Sequence, residues 1–284
     1  MAAVSVSLFQ GNVLTGQQLF LLVAGSRLGS GGIVVLIGAL DYLEKPRSSF
    51  GEATGLGTLT FLLTYAVYLP ATVGGVLVLP RLQPVLERTT RRFTIATESP
   101  SPVVSLCEGI VAAIGVWPGL IVAVALLFGS LTLFDRVLEQ VETAWLRNRL
   151  FRYFERRWVA FVLGVLLTGL TTSVAFSLGV AVPLYNRGYV TRREILPYVL
   201  GANMGTLFDT LLVVVLLESP AAVAIVLALI LLTGLVTVVL LIAFRPFHRA
   251  IGVVQSRLVD DRRTLLGFLL SLLVVPIALV LLPV

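Results

Sequence analysis

The chain is poor in the residues that soluble proteins and metalloproteins rely on. It has one cysteine (Cys107), one histidine (His248) and one lysine (Lys45), and only 13% of its 284 residues are charged. A single cysteine allows no intrachain disulfide, and one Cys with one His makes no zinc or iron–sulfur ligand set. A Ser-His-Asp site would have to use His248, which stands in the basic segment Arg245-Pro-Phe-His-Arg249 and reads as a side chain at a membrane interface. An ordinary globular domain carries about 25% charged residues and roughly 45–50% apolar ones. Here 57% are hydrophobic and the mean hydropathy is +1.00. That balance excludes a soluble enzyme, a disulfide scaffold and a disordered chain.

What is present is a series of long apolar runs, and a helix crossing a bilayer needs about 20 such residues. The sequence therefore describes a multi-pass protein of the cell membrane. Its net charge of +6 comes almost wholly from arginines in the connectors between runs. That distribution suits anionic lipid at a membrane surface and argues against nucleic acid. Met1 to Gln18 lacks a basic n-region and continues into the first apolar block, so insertion through the spans themselves is expected.

The first block, residues 13–43, is interrupted by Gly25-Ser-Arg-Leu-Gly-Ser-Gly-Gly32. An arginine at a helix centre costs at least ~2.5–3.5 kcal/mol when it faces lipid, and irregular backbone is excluded from hydrocarbon. Two half-length arms meeting at a polar tip, a re-entrant hairpin, would satisfy both constraints. A span over 54–79 and an Arg-rich connector from Pro80 to Pro102 follow. Another span, 103–134, is broken at Trp117-Pro118, where proline kinks a helix or starts a new one. Residues 135–158 carry six arginines and four acids, with apolar residues at helical spacing, and read as a helix lying in the interface. A second interrupted block, 159–185, is broken at Thr168-Gly-Leu-Thr-Thr-Ser173. Spans over 195–217, 220–244 and 265–284 complete the chain, with a basic interfacial stretch at 245–264. The span 220–244 has no charge and reads as the cleanest lipid-facing one.

The two halves, 1–102 and 103–284, can be laid over one another at an offset of 148 residues, which puts Gly57-Thr58 on Gly205-Thr206. The expected fold is thus all-α, with two internal repeats, each a re-entrant helical hairpin followed by transmembrane helices. Matched breaks in repeated hydrophobic segments point to a secondary transporter: unwound backbone held inside protein offers N–H groups to an anion, and carbonyls and hydroxyls to a small cation.

Hydroxyls gather at the second break: Thr168, Thr171, Thr172, Ser173 and Ser177. In the following span Asn203, Thr206 and Thr210 share a helix face. Asp209 is the one carboxylate inside that span, and an intramembrane acid is a functional candidate. It reads either as a cation-coordinating group or as a structural carboxylate paired to Arg27. The first break offers Ser26, Ser30 and Thr58, with Arg27 as an anion partner because guanidinium matches tetrahedral oxyanions.

The stretch Leu167-Thr-Gly-Leu-Thr-Thr-Ser-Val-Ala-Phe-Ser177, with Gly201-Ala-Asn-Met-Gly-Thr206 at its spacing, resembles the second repeat of type II sodium–phosphate cotransporters. That family has a hairpin tipped by Gln-Ser-Ser-Ser and a span opening with Gly-Ala-Asn-Ile-Gly-Thr. Here the hairpin tip falls on Thr172-Ser173-Val174-Ala175, keeping one serine, and the first hairpin retains only Thr54-Gly-Leu-Gly-Thr58. The resemblance implies alternating-access symport, not enzymatic catalysis, with no cofactor beyond sodium as coupling ion. Phosphate or a related oxyanion would bind near Thr172, Ser173 and Ser177, with Ser26, Arg27 and Ser30 opposite. Sodium would sit near Asn203, Thr206, Asp209, Thr210 and Thr58. A transport-inactive protein of the same fold is the alternative. An intramembrane lipid-pyrophosphate phosphatase is a third reading: Gly25-Ser26-Arg27 resembles part of a Pro-Gly-x-Ser-Arg-Ser motif, without its proline and second serine.

Overall fold

The computed structural model describes residues 2–44, 50–94, 115–140, 156–172 and 191–260, with isolated positions at 109, 111–113, 174, 177, 264, 267, 268, 270 and 271. Among these every regular element is helical: α1 (Ala2–Gln10), α2 (Gly16–Glu44), α3 (Phe50–Thr94), α4 (Val116–Gln140), α5 (Arg157–Thr171), α6 (Arg192–Gly205), α7 (Leu207–Leu216), α8 (Pro220–Ile242) and α9 (Phe244–Asp260). Three stretches are long and apolar enough to cross a bilayer: Gly57–Thr90, Arg192–Leu216 and Pro220–Ile242. Large side chains such as Leu77, Leu170, Leu212 and Ile242 lie on the outer surface, although Phe20, Tyr68, Tyr198 and Phe244 are buried inside. That is a bundle made for a lipid solvent, since lipid gives no reason to hide a leucine.

The glycines set the packing. On α5 and α6, a Cβ at Gly164 would run into the carbonyl of Tyr198, and one at Gly201 into that of Phe161. At Gly205 it would lie 2.7 Å from the carbonyl oxygen of Val165 and 2.8 Å from the Cβ of Thr168. Gly201 and Gly205 form a small-xxx-small ridge that lets two backbones touch. Contacts advance together along both helices, Phe161 with Gly201, Val165 with Gly205 and Gly169 with Phe208, so α5 and α6 run side by side in the same direction. By contrast α2 and α3 are antiparallel, with Gly31 against Thr64, Phe20 over Gly75 and Gly16 beside Gln83.

One end of the bundle gathers the N-termini of α5 and α6 with α9, where the Arg157 guanidinium lies 5.2 Å from the Phe244 ring centre. At the other end the Thr90 hydroxyl donates to Pro220 O at 3.2 Å, and the Gln10 side chain donates to Leu217 O at 2.9 Å.

Several expectations need correction. The helix α2 is unbroken from Gly16 to Glu44, so no chain reversal occurs at Gly25–Gly32. The helix solves its polar content in another way. Ser26 and Ser30 donate to their own helix, to Val23 O and Arg27 O at 2.8 Å each, and Arg27 finds a carboxylate on a neighbouring helix. Nor does α3 end at Pro80: it continues to Thr94 with Pro70, Pro80 and Pro84 inside it. Proline at position 80 removes the N–H that would serve Val76 O, and the Gln17 side chain donates to that carbonyl instead, at 3.4 Å.

The span 220–244, expected to face lipid, does so on one face only, with Leu231, Leu235, Val239 and Ile242 exposed. Its Ala222, Ala224, Ile225, Val226, Ala228 and Leu229 are buried against α2, α3, α6 and α7. Helix α4 begins at Val116 after Gly115, whose φ is +85°, so Pro118 starts a helix, as one of the two sequence options had it. It runs past Phe134 to Gln140. The remainder of the expected interfacial helix, most of the return arm of the second hairpin including Ser173, and nearly all of the last span lie outside the described residues.

Tyr68, ten residues beyond Thr58, is the residue of α3 level with Asn203. Thr58 is therefore displaced about 15 Å along the helix axis from the Asn203–Thr206 region.

Candidate functional site

Arg27 on α2 points across the bundle to α7. Its Nη2 lies 2.6 Å from Asp209 Oδ1 and also donates to the Thr210 hydroxyl. That hydroxyl donates in turn to Asp209 Oδ1 at 3.0 Å, and the Thr210 backbone N–H donates to the same oxygen. Thr210 is buried, and the Arg27 and Asp209 side chains are 18% and 35% exposed. Of the two roles open to Asp209 in the sequence, pairing to Arg27 is the one its geometry displays. The pair is about 16 Å along α2 from its first residue and about 10 Å from the end of α7, well inside the apolar segments.

One turn away, α6 gives way to α7 at Thr206, whose backbone stays right-handed and whose N–H still donates to Ala202 O at 3.3 Å. The carbonyl of Asn203 takes two hydroxyls there, from Thr206 at 2.7 Å and from Tyr68 on α3 at 2.8 Å. Such donors replace partners that a membrane interior cannot supply. Tyr68 is fully buried between α2, α3 and α6, within the fields of Arg27 and Asp209.

Several donors in these helices are left over. Arg27 Nε, Asn203 Nδ2 and the Thr168 hydroxyl are buried without a partner among the described residues, and so is the Thr58 hydroxyl. An unpartnered buried donor costs about 1–3 kcal/mol. Three of these four belong to α2, α5 and α6. Thr58 lies elsewhere on α3.

At the second break α5 stops at Thr171, and Thr172 takes a left-handed conformation with φ +50°. The sequence read an interruption here, and here the helix ends. Thr172 is exposed, and the Thr171 hydroxyl donates back to Leu167 O at 2.6 Å. Ser177 is buried, its hydroxyl 2.7 Å from that of Tyr198, which also donates to Ser177 O at 2.7 Å. The structure thus brings Arg27, Asp209, Thr210, Asn203 and Thr206 together, keeps Ser177 beside Tyr198, and leaves Ser26 and Ser30 bonded to their own helix.

The two tyrosines were missed in the sequence. A tyrosine deep in an apolar span is a usable signal, because its hydroxyl needs a partner when buried. The glycines of Gly201-Ala-Asn-Met-Gly-Thr206 serve α5–α6 contact, and the asparagine and threonine between them supply the polar groups.

His248 belongs to the basic helix α9. Burial holds its pKa below the ordinary value, and the positive fields of Arg192, Arg193 and Arg249 push in the same direction.

These features define a polytopic helical membrane protein with a buried charged and hydroxyl-bearing site. Residues 126–255, running from within α4 to within α9, match the family model described as Na+/Pi-cotransporter. The resemblance carried by Leu167–Ser177 and Gly201–Thr206 thereby holds over just under half of the chain. No curated protein and no solved structure matches it. The matched segment includes Asn203, Thr206, Asp209 and Thr210, whereas Arg27, Thr58 and Tyr68 precede it.

Proposed function

We propose that the protein is a secondary transporter that couples sodium to the movement of phosphate, or a similar oxyanion, by alternating access. The observation that carries this reading is the family match over 126–255, which contains the polar stretch of α6 and α7. The geometry supports it from a second side. Arg27 Nε, Asn203 Nδ2 and the Thr168 hydroxyl are donors lacking acceptors, and a tetrahedral oxyanion is rich in acceptors. The hydroxyls of Thr172, Ser173 and Ser177 are the companions on the second hairpin. Sodium, as cargo, would take oxygens from Asn203, Thr206 and Asp209, with Thr210 beside them.

Re-entry of the segment 159–185 is part of the proposal. Three things support it. Helix α5 has 15 residues, about 23 Å, short of the ~30 Å hydrocarbon core. It ends in a left-handed residue, and α5 and α6 point the same way although they are neighbours in the bundle.

The second reading, a transport-inactive member, is favoured by one specific observation. The carboxylate of α7 already holds a fixed cation, the Arg27 guanidinium, where a mobile one would be needed. Purified protein in liposomes separates the readings. An inward sodium gradient should drive uptake of radiolabelled phosphate, and an equal potassium gradient should not. Uptake no greater than in protein-free liposomes refutes the transporter reading.

A further inference from the structure

At the end of the bundle where α5 and α6 begin, a cavity of about 330 Å³ is lined by Arg193, Phe244, Arg245, His248 and Arg249. Two helices supply its walls. Arg193 comes from the first turn of α6, and the other four residues come from the first turns of α9. The helices are fastened there by the Arg192 side chain, which donates to Ile251 O at 3.3 Å. The aromatic wall is held from outside by Arg157, 5.2 Å from the Phe244 ring centre.

The lining is cationic. Among the described residues none of Arg193, Arg245 and Arg249 has a carboxylate partner. The nearest acid in the sequence of α6, Glu194, closes a capping box with Thr191, accepting from its N–H at 2.7 Å and its hydroxyl at 2.8 Å. Both helix N-termini add positive potential. Burial is the first cause that lowers the basicity of His248, and Arg192, Arg193 and Arg249 lower it further.

The surroundings are those of a membrane boundary. The cavity lies where α5 and α6 start and α8 ends. Trp158 on α5 is half exposed, as interfacial tryptophans are. Val253, one turn beyond Arg249 on the same face of α9, and Val254 beside it are exposed apolar neighbours for acyl chains.

We propose that this cavity binds the phosphate-bearing headgroup of an anionic phospholipid, with the Arg193, Arg245 and Arg249 guanidiniums as its ligands. Guanidinium pairs phosphate oxygens in bidentate fashion, and basic pockets between membrane helices suit such headgroups.

The test titrates the full-length protein in neutral detergent with short-chain phosphatidylglycerol, with phosphatidylcholine and with inorganic phosphate, following the thermal midpoint. Phosphatidylglycerol should raise the midpoint and phosphatidylcholine should not. Each guanidinium near a lipid surface contributes about a fivefold change in affinity, so R193Q/R245Q/R249Q should shift the titration roughly a hundredfold. R81Q/R88Q, which removes two exposed arginines of α3 far from the cavity, should leave it in place. If the triple variant does not fold, the single variant Arg245→Gln carries the test with its fivefold shift. An unchanged titration in these cavity variants overturns the proposal. A rise produced equally by inorganic phosphate overturns the headgroup assignment in favour of a free-anion site.

Discussion

Removing either member of the Arg27–Asp209 pair should be costly, and the two costs should differ in a definite direction. Breaking a buried pair by deleting one partner typically costs 3–5 kcal/mol, because the other charge is stranded. Asp209 is 35% exposed, which relieves part of that penalty, so Arg27→Ala should cost about 2–4 kcal/mol. The carboxylate stranded by Arg27→Ala is also nearer to solvent than the guanidinium stranded by Asp209→Asn, 35% exposed against 18%. Asp209→Asn should therefore destabilise more than Arg27→Ala. Replacing both at once, Arg27→Met with Asp209→Leu, should return stability to within about 1–2 kcal/mol of the starting protein, since neither charge is then stranded. The assay is equilibrium unfolding of purified protein in mixed detergent micelles, with the four species forming a double-mutant cycle. If the double variant loses the sum of the two single losses, or if Asp209→Asn is the milder change, the pair does not act as described.

The helix contacts make a graded set of glycine predictions. Gly201→Ala should destabilise by about 1–3 kcal/mol in the same unfolding assay, because the new methyl meets backbone of α5 that cannot move aside. Gly25→Ala, where no atom lies within 4 Å, should be neutral or should stabilise by about 0.5–1 kcal/mol through helix propensity; a loss there would refute the unbroken course of α2. At the end of α5, Thr172→Gly removes the left-handed strain of a β-branched residue, worth about 1–2 kcal/mol. Stability should therefore rise. Sodium-driven phosphate uptake should fall if the hydroxyl is a ligand, and unchanged uptake removes Thr172 from the proposed anion site.

Three places in the sequence differ from the structure because the deciding contact lies on another helix. The polar run Gly25–Gly32 suggests a chain reversal because an arginine in lipid is prohibitive. The premise was sound, but the remedy was a partner 182 residues away, on a helix whose register no local pattern reports. Likewise, the absence of charge in 220–244 suggests exposure to lipid, which holds for only one face of the helix. In a membrane, lipid and protein interior are both apolar, and the choice between them falls to small residues such as Ala222, Ala224 and Ala228 that let neighbouring helices approach. The proline-rich run after Leu79 looked like a connector because proline ends helices in water. Within the bundle, the Gln17 side chain restores one lost hydrogen bond and α3 continues.

Composition and run length alone determined that this is an α-helical membrane protein, because the bilayer accepts few other solutions for such apolar stretches. The sequence also marked the break after Thr171, and it marked Asp209 with Arg27 as its prospective partner, because charges and hydroxyls in apolar segments are rare enough to stand out. Only the tertiary structure decided that Arg27 lies on a continuous helix, that Tyr68 and Thr206 both serve the Asn203 carbonyl, and that arginines distant in sequence surround one cavity. Those outcomes depend on which helix faces meet and at what height. That is set by glycine-to-backbone contact between helices, a property of pairs of surfaces that no single segment carries.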